Sequence, residues 1–165
     1  MKLPKVDIKH ILYATDLSVD AKYAFKYAAH FAKKFNAKLT LLHVIQEFPD
    51  LLIFDVGIER SGATEKRLSM NKAYLEDAKK KFIEITKSEL PSEEIAIEDI
   101  VVEKGNPVKM ILRVTEDRNC DLIVMGIRGR GTLPDAMMGD TVGAVLRRSK
   151  VPVLVLRQPK EKRKK

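Results

Sequence analysis

Five short apolar runs, separated by longer stretches of helical period, constrain this chain more than any other feature. The runs are His10 to Thr15, Leu39 to Ile45, Ile95 to Glu103, Asp121 to Gly126 and Val151 to Leu156. Most are continuously apolar, as strands buried on both faces must be. Their alternation with helices calls for an α/β fold in three layers, a parallel sheet with helices on both faces. Ile95 to Glu103 is interrupted by Glu98 and Asp99, which predicts a half-exposed edge strand. Between the first two runs, Ala21, Ala24, Phe25, Ala28, Ala32 and Phe35 keep a three-and-four spacing and predict a helix packed on the sheet. Leu68, Leu75, Ala78, Phe82 and Ile85 predict a second helix. Asn106 and Pro107 form the cap and first turn of a third, and Val142, Val145 and Leu146 mark a fourth. Residues 47 to 64, with Pro49, Gly57 and Gly62, read as an irregular loop longer than such crossovers need, of the kind that forms lids or interfaces.

A chain of 165 residues is sized for one domain, and 45% hydrophobic with 33% charged residues is globular composition. The expected domain spans residues 1–157, followed by a basic tail, 158–165, read as a solvated, disordered end. Lys and Arg number 31 against 23 Asp and Glu, a net charge of +8. Arg157 to Lys165 holds six basic side chains and one acidic, so +5 of the +8 sits there and the folded part is nearly balanced. Charge therefore does not define the function, and a nucleic-acid contact through Lys160 to Lys165 is the lesser reading of the tail. The single Cys120 has no intrachain disulfide partner, and no cluster has zinc-ligand spacing. Nowhere do 18 apolar residues run together, and the N-terminus lacks an apolar leader segment. The expectation is a cytoplasmic protein with no membrane association.

The chemistry-bearing stretch begins where the fourth strand ends, with Met125, Gly126, Ile127, Arg128, Gly129, Arg130 and Gly131, and runs on to Gly139, Asp140, Thr141 and a helix. Glycines let backbone N–H groups approach a ligand closely, and a helix N-terminus adds unpaired donors and a positive dipole end. A phosphate-bearing ligand suits such a turn, because ligands of open α/β sheets bind beyond the carboxyl ends of strands where strand order reverses. The P-loop spacing is absent, and the first strand is followed by Ala14-Thr15-Asp16-Leu17-Ser18 instead of a dinucleotide-type glycine turn.

From Asp7 to Arg157 the chain resembles the universal stress protein family. The resemblance rests on Ile11-Leu12-Tyr13-Ala14-Thr15-Asp16, Leu42-His43-Val44, Asp121-Leu122-Ile123-Val124-Met125-Gly126 and Val151-Pro152-Val153-Leu154-Val155. Gly126, Gly129 and Gly139 stand at the spacing of the family's nucleotide motif: Gly, two residues, Gly, nine residues, Gly, then Ser or Thr. The resemblance implies five parallel strands ordered 3-2-1-4-5 with ATP across the gap between the first and fourth. It places Ala14, Thr15, Asp16 and Val44 on the nucleoside side, and Met125, Gly126, Gly129, Arg130 and Gly139 near the ribose and phosphates. It also implies a homodimer through the last strand. In that order Val151 to Leu156 is an edge with unpaired backbone and apolar side chains to cover, and Pro152 suits such a position.

Asp140 stands where the family motif has Ser or Thr. A carboxylate ~5 Å from a phosphate charge, at an effective dielectric of about 20, is repelled by roughly 3 kcal/mol. A helix N-terminus returns at most ~2 kcal/mol. Three arrangements answer this: a divalent cation such as Mg bridges Asp140 to the phosphates; Thr141 with Arg128 and Arg130 takes over phosphate binding; or Asp140 caps the helix and the site is weak or empty. The expectation carried forward is ATP with Mg.

Other polar residues carry less signal. His43, inside an apolar strand, is expected to be a hydrogen-bonded core residue, and His10 and His30 point to nothing further. Glu93, Glu94, Glu98 and Asp99 read as solvated surface. Met137 and Met138, near Leu133, are expected to pack under the loop. No serine has a histidine and carboxylate relay, so nucleophilic hydrolysis is unsupported and no catalytic residue is assigned. The leading reading is a nucleotide-binding, stress-responsive regulator. The alternatives are a slow ATPase, for which no group to activate water is identifiable, and a nucleotide-free dimeric scaffold, which Asp140 favours.

Overall fold

The computed structural model describes residues 5–46, 73, 76–77, 79–80, 83–84, 88, 97–128 and 138–159. Strands β1 (His10–Thr15), β2 (Lys38–Ile45), β3 (Ile97–Lys104), β4 (Leu122–Gly126) and β5 (Val153–Leu156) form one sheet in the order β3-β2-β1-β4-β5. Every neighbouring pair is parallel. Helix α1 (Val19–Phe35) follows β1, α3 (Pro107–Asp117) follows β3, and α4 (Asp140–Arg148) follows β4. The described residues between 73 and 88 are all helical and mark α2; apart from half-buried Ile83 they are exposed. The apolar positions expected on that helix, Leu68, Leu75, Ala78, Phe82 and Ile85, lie outside the described residues, as does the whole 47–64 loop.

Period-two alternation along the central strands divides the core into two halves. Ile11, Tyr13, Leu39, Leu41 and Val124 join Ala24, Ala28 and Ala32 of α1 on one face of the sheet. Leu12, Ala14, Leu42, Ile123 and Met125 join Ile111 and Val114 of α3 and Val142 and Val145 of α4 on the other. Residues 11 to 15 of β1 are therefore all buried, covered above and below and paired on both edges. Each fully buried Leu or Ile of this kind contributes about 1.5–3 kcal/mol relative to an exposed one. Small alanines on α1 bring its backbone close to the sheet, and Tyr13 fixes the approach. Its ring meets Phe25 edge-on at 5.1 Å, and its hydroxyl donates to the Ala21 carbonyl at 2.7 Å.

The expected edge strand is at the edge: among the described residues β3 pairs only with β2, and residues 100–104 are half-buried. Strand ends differ from the apolar runs where a side chain or proline intervenes. Asp121 stays outside β4 because its carboxylate accepts from the amides of Lys9 and His10 (2.8 and 2.9 Å), pinning the start of β1. Val151 and Pro152 precede β5, Val151 being turned by hydrogen bonds with Ser149 Oγ. Two residues expected on buried helix faces are exposed. Phe35, the last residue of α1, stacks on Phe31 at 5.8 Å, and Leu146 lies on the outer side of α4. Asn106 caps α3 as expected, its side chain accepting from the Lys109 amide, with Pro107 in the first turn. Among the described residues, no helix is long and apolar enough to cross a membrane.

Cys120 sits in the α3–α4 half of the core, 4% exposed. Burial, aided by the neighbouring Asp121 charge and only partly offset by Arg118, pushes its thiol up to about 11. A thiol reagent at about pH 8, near the ordinary thiol range, is therefore expected to label the native protein far more slowly than the urea-unfolded chain. Equal labelling rates would contradict this packing.

Candidate functional site

Strand order reverses at the boundary between β1 and β4, and beyond the carboxyl ends of β1, β2 and β4 a cleft of about 520 Å³ opens. That size lies within the range of small-molecule pockets. Its walls come from Ala14 to Asp16 at the end of β1, Leu42 to Gln46 at the end of β2, Met125, Gly126 and Arg128 at the end of β4, and Gly139 to Val142 at the start of α4. Pro107 and Ile111 of α3 close one side. Ala14, Thr15, Asp16, Val44, Met125, Gly126, Arg128, Gly139, Asp140 and Thr141 are thus brought together; Gly129 and Arg130 lie outside the described residues.

The turn from β1 into α1 is built from side-chain bonds to the backbone. Thr15 Oγ1 accepts from the Leu17 amide and Asp16 Oδ1 from the Ser18 amide, both at 3.0 Å. Leu17 is held between them at φ 65°, a left-handed conformation costing a non-glycine residue about 1–2 kcal/mol. Ser18 then caps α1, its Oγ accepting from Ala21 and donating to the Arg128 carbonyl at 3.1 Å. The first loop of the cleft is thereby fastened to the fourth.

Gly126 has a different reason for being glycine than ligand approach alone. A Cβ there would lie 2.6 Å from the Ala21 nitrogen and 2.7 Å from the Asp20 carbonyl carbon. The N-terminus of α1 rests directly on the end of β4, and no side chain fits between them. At this junction Asp20, 5% exposed, receives Arg128 Nε on Oδ2 and the Gln158 amide on Oδ1, both at 2.8 Å. Burial opposes ionisation of Asp20. The hydrogen bonds from Arg128 and Gln158, with the charges of Arg128 and Arg157, outweigh it and hold the carboxyl below its ordinary range. Neither Asp20 nor Ser18 is singled out by the sequence; the local signal that each carries is that of a cap or first-turn residue, which is common to many helices. Packing also continues past Arg157 to Gln158, one residue into the expected tail.

Two described amides that flank the glycine turn are bonded within the protein. The Ile127 amide donates to Leu156 O (2.8 Å) and the Gly139 amide to Ile127 O (3.0 Å). Among the described residues, the first turn of α4 follows next. Gly139 is its N-cap and offers no side-chain cap, and the first intrahelical bond runs from Gly143 to Gly139. The amides of Asp140, Thr141 and Val142 precede that bond, the position where helices receive anions. Asp140 is the first helical residue and exposed, so it does not fill the capping place that one reading gave it. Met138 is 42% exposed instead of packed beneath the loop. His43 is half-buried and lines the cleft, which corrects its placement as a core residue. Its Nδ1 must carry the proton, because its partner 2.9 Å away is the Thr15 carbonyl, which only accepts.

With this geometry in hand, the sequence model of the Universal stress protein family matches residues 7–157. The chain belongs to that family. It is 32% identical over 157 residues to universal stress protein MJ0577 of Methanocaldococcus jannaschii, covering 91% of this chain and 95% of the relative. The solved MJ0577 structure superposes with a TM-score of 0.72 over 94% of this chain and all of that one, at 29% identity. The fold likewise matches universal stress protein UspA from Lactobacillus plantarum (TM-score 0.70, 22% identity, 93% and 100% covered). It also matches a universal stress protein solved in complex with cAMP (TM-score 0.53, 23% identity, 92% and 98% covered). The five-stranded 3-2-1-4-5 sheet expected from the resemblance is the one observed.

Two outcomes follow for this universal stress protein. Gly126→Ala is expected to lower unfolding stability by about 1–3 kcal/mol in urea titrations, because the obstruction is backbone and cannot rotate away; an unchanged midpoint would refute the contact. Asp20, with its folded carboxyl held low, contributes stability that is fully present above the unfolded value of about 3.9 and is lost as pH falls through the lower folded value. The stability gap between wild type and Asp20→Asn should therefore narrow as pH drops below about 4, and a gap independent of pH would show that the charge is irrelevant.

Proposed function

We propose that this universal stress protein is a nucleotide-binding regulator that takes ATP in the cleft between β1 and β4, together with a divalent cation. The observation that carries the reading is the cleft itself: a pocket at the switch point with an apolar wall and an uncapped helix N-terminus on its rim. Leu42, Val44, Ile111, Met125 and Val142 give a base the apolar surface it needs. The first-turn amides of α4 and the guanidinium of Arg128 give an anion its donors. A cation-free triphosphate would meet the carboxylates of Asp16 and Asp140 in the same walls. Among the described residues, no group of three His, Cys, Asp or Glu could hold a metal. A cation such as Mg would therefore meet Asp140 and draw most of its ligands from phosphate and water, as Mg does in nucleotide sites. Metal and nucleotide then enter together.

Binding, with a consequent change of surface, is the activity proposed. The homologue solved with cAMP shows a nucleotide held by that protein and lends this reading support. The regulator acts as a homodimer through β5: among the described residues the strand pairs only with β4, all four of its residues are half-buried, and its outer edge is open to a second copy. If nucleotide is absent from the purified protein and none binds, the dimeric scaffold reading, which the exposed Asp140 favours, takes its place.

Calorimetric titration with ATP is expected to give measurable heat with magnesium and little without it. No heat in either condition ends the nucleotide reading. Light scattering is expected to return the mass of two chains, and a monomer at all concentrations tested would exclude the β5 dimer.

A further inference from the structure

The Asp20 junction joins three segments that are distant in sequence: the start of α1, the loop after β4 and the exit of β5. Its two carboxylate oxygens have separate tasks. Oδ1 is held by the Gln158 amide, which stops the carboxylate from turning, and Oδ2 then presents a fixed acceptor to Arg128 Nε. Arg128 is gripped from both ends, because its own carbonyl accepts from Ser18 Oγ at 3.1 Å while its guanidinium is held by Asp20. The side chain is 22% exposed, and Arg128 is one of the residues that line the cleft. A guanidinium fixed through Nε keeps its plane, and a preorganised planar donor set is what recognises phosphate oxygens.

We infer that Asp20 is a positioning residue for the anionic part of the ligand: anchored by Gln158, it holds the Arg128 guanidinium at the cleft wall, so that phosphate recognition depends on α1 while nucleoside recognition does not. The inference rests on the nucleotide reading above and names the part of the ligand that the junction serves. Asp20 does not touch the ligand. It acts by removing the freedom that Arg128 would otherwise lose on binding, which is a direct gain in affinity for any group Arg128 meets.

The test compares two probes, adenosine and ATP with magnesium, on wild type and Asp20→Asn by calorimetry. Asn keeps an acceptor for the Gln158 amide but removes the charge facing Arg128. ATP affinity is expected to fall about tenfold, the effect of one charge-assisted hydrogen bond, with adenosine affinity unchanged. An equal loss for both probes makes Asp20 a structural residue only, and no loss for either removes its role; both overturn the inference. Wild type that binds adenosine but not ATP also overturns it while leaving a nucleoside site standing. Wild type that binds neither probe sinks the nucleotide reading and this inference with it. Should Asp20→Asn fail to fold, Arg128→Lys carries the comparison: it keeps a cation beside Asp20 without the planar fork. The same selective loss of ATP is expected, and undiminished ATP affinity refutes the positioning role.

Discussion

The approach of α1 to the end of β4 sets the geometry on which the rest of the cleft depends. Because Gly126 presents no Cβ, the backbone of Asp20 and Ala21 rests against the strand end, closer than any side chain would permit. That contact draws the β1–α1 turn and the loop after β4 together, so Ser18 can bond the Arg128 carbonyl and Asp20 the Arg128 side chain. The alanines of α1 and the Tyr13 hydroxyl hold the rest of the helix at matching depth. The cleft opens beside this contact: Ala21 of α1 and Gly126 line it together with Pro107 and Ile111 of α3 and the start of α4.

Seating a carboxylate at that contact has an energetic consequence. A buried charge survives only with partners, and removing one member of a buried pair costs on the order of 3 kcal/mol because the other is left uncompensated. Asp20 has two partners from two different segments, so the α1 start, the β4 loop and the β5 exit tend to hold or loosen together. The same region contains Leu17 in a left-handed conformation, held by Thr15 and Asp16. Thr15, Asp16 and Ser18 thereby fix the loops of the cleft through hydrogen bonds to backbone groups, while the first-turn amides of α4 lie on its rim.

Asp140 is the point where this chain's electrostatics part from the motif it otherwise follows. As the first helical residue, and exposed, it adds negative charge where the helix dipole is positive, which steadies α4 whether or not a ligand is bound. Toward phosphate the same charge is repulsive unless a cation intervenes. The same residue thus favours the fold and, in the proposed function, couples phosphate binding to a metal.

Sequence by itself determined the layers and their order of appearance. Continuous apolar runs, helical spacing, the Asn106–Pro107 cap and the glycines after β4 are local signals, and local signals survive in one dimension. The family resemblance added strand order and the residues of the cleft, most of which the structure gathers in one place. Tertiary structure decided what those residues are for. Gly126 is read from sequence as a place for ligand amides, yet it is required by the backbone of a helix more than 100 positions earlier. The Ile127 and Gly139 amides look available until strand β5 and the Ile127 carbonyl are in place to accept them. Asp20 reads as an ordinary first-turn acid until Arg128 and Gln158 arrive from elsewhere in the chain. Phe35 and Leu146 fit a helical stripe, but both are exposed, Phe35 at the last residue of α1 and Leu146 on the outer side of α4. The physical reason is common to all of these: periodicity records which face of an element is apolar, whereas hydrogen-bond partners and close backbone contacts depend on which distant segments share the space.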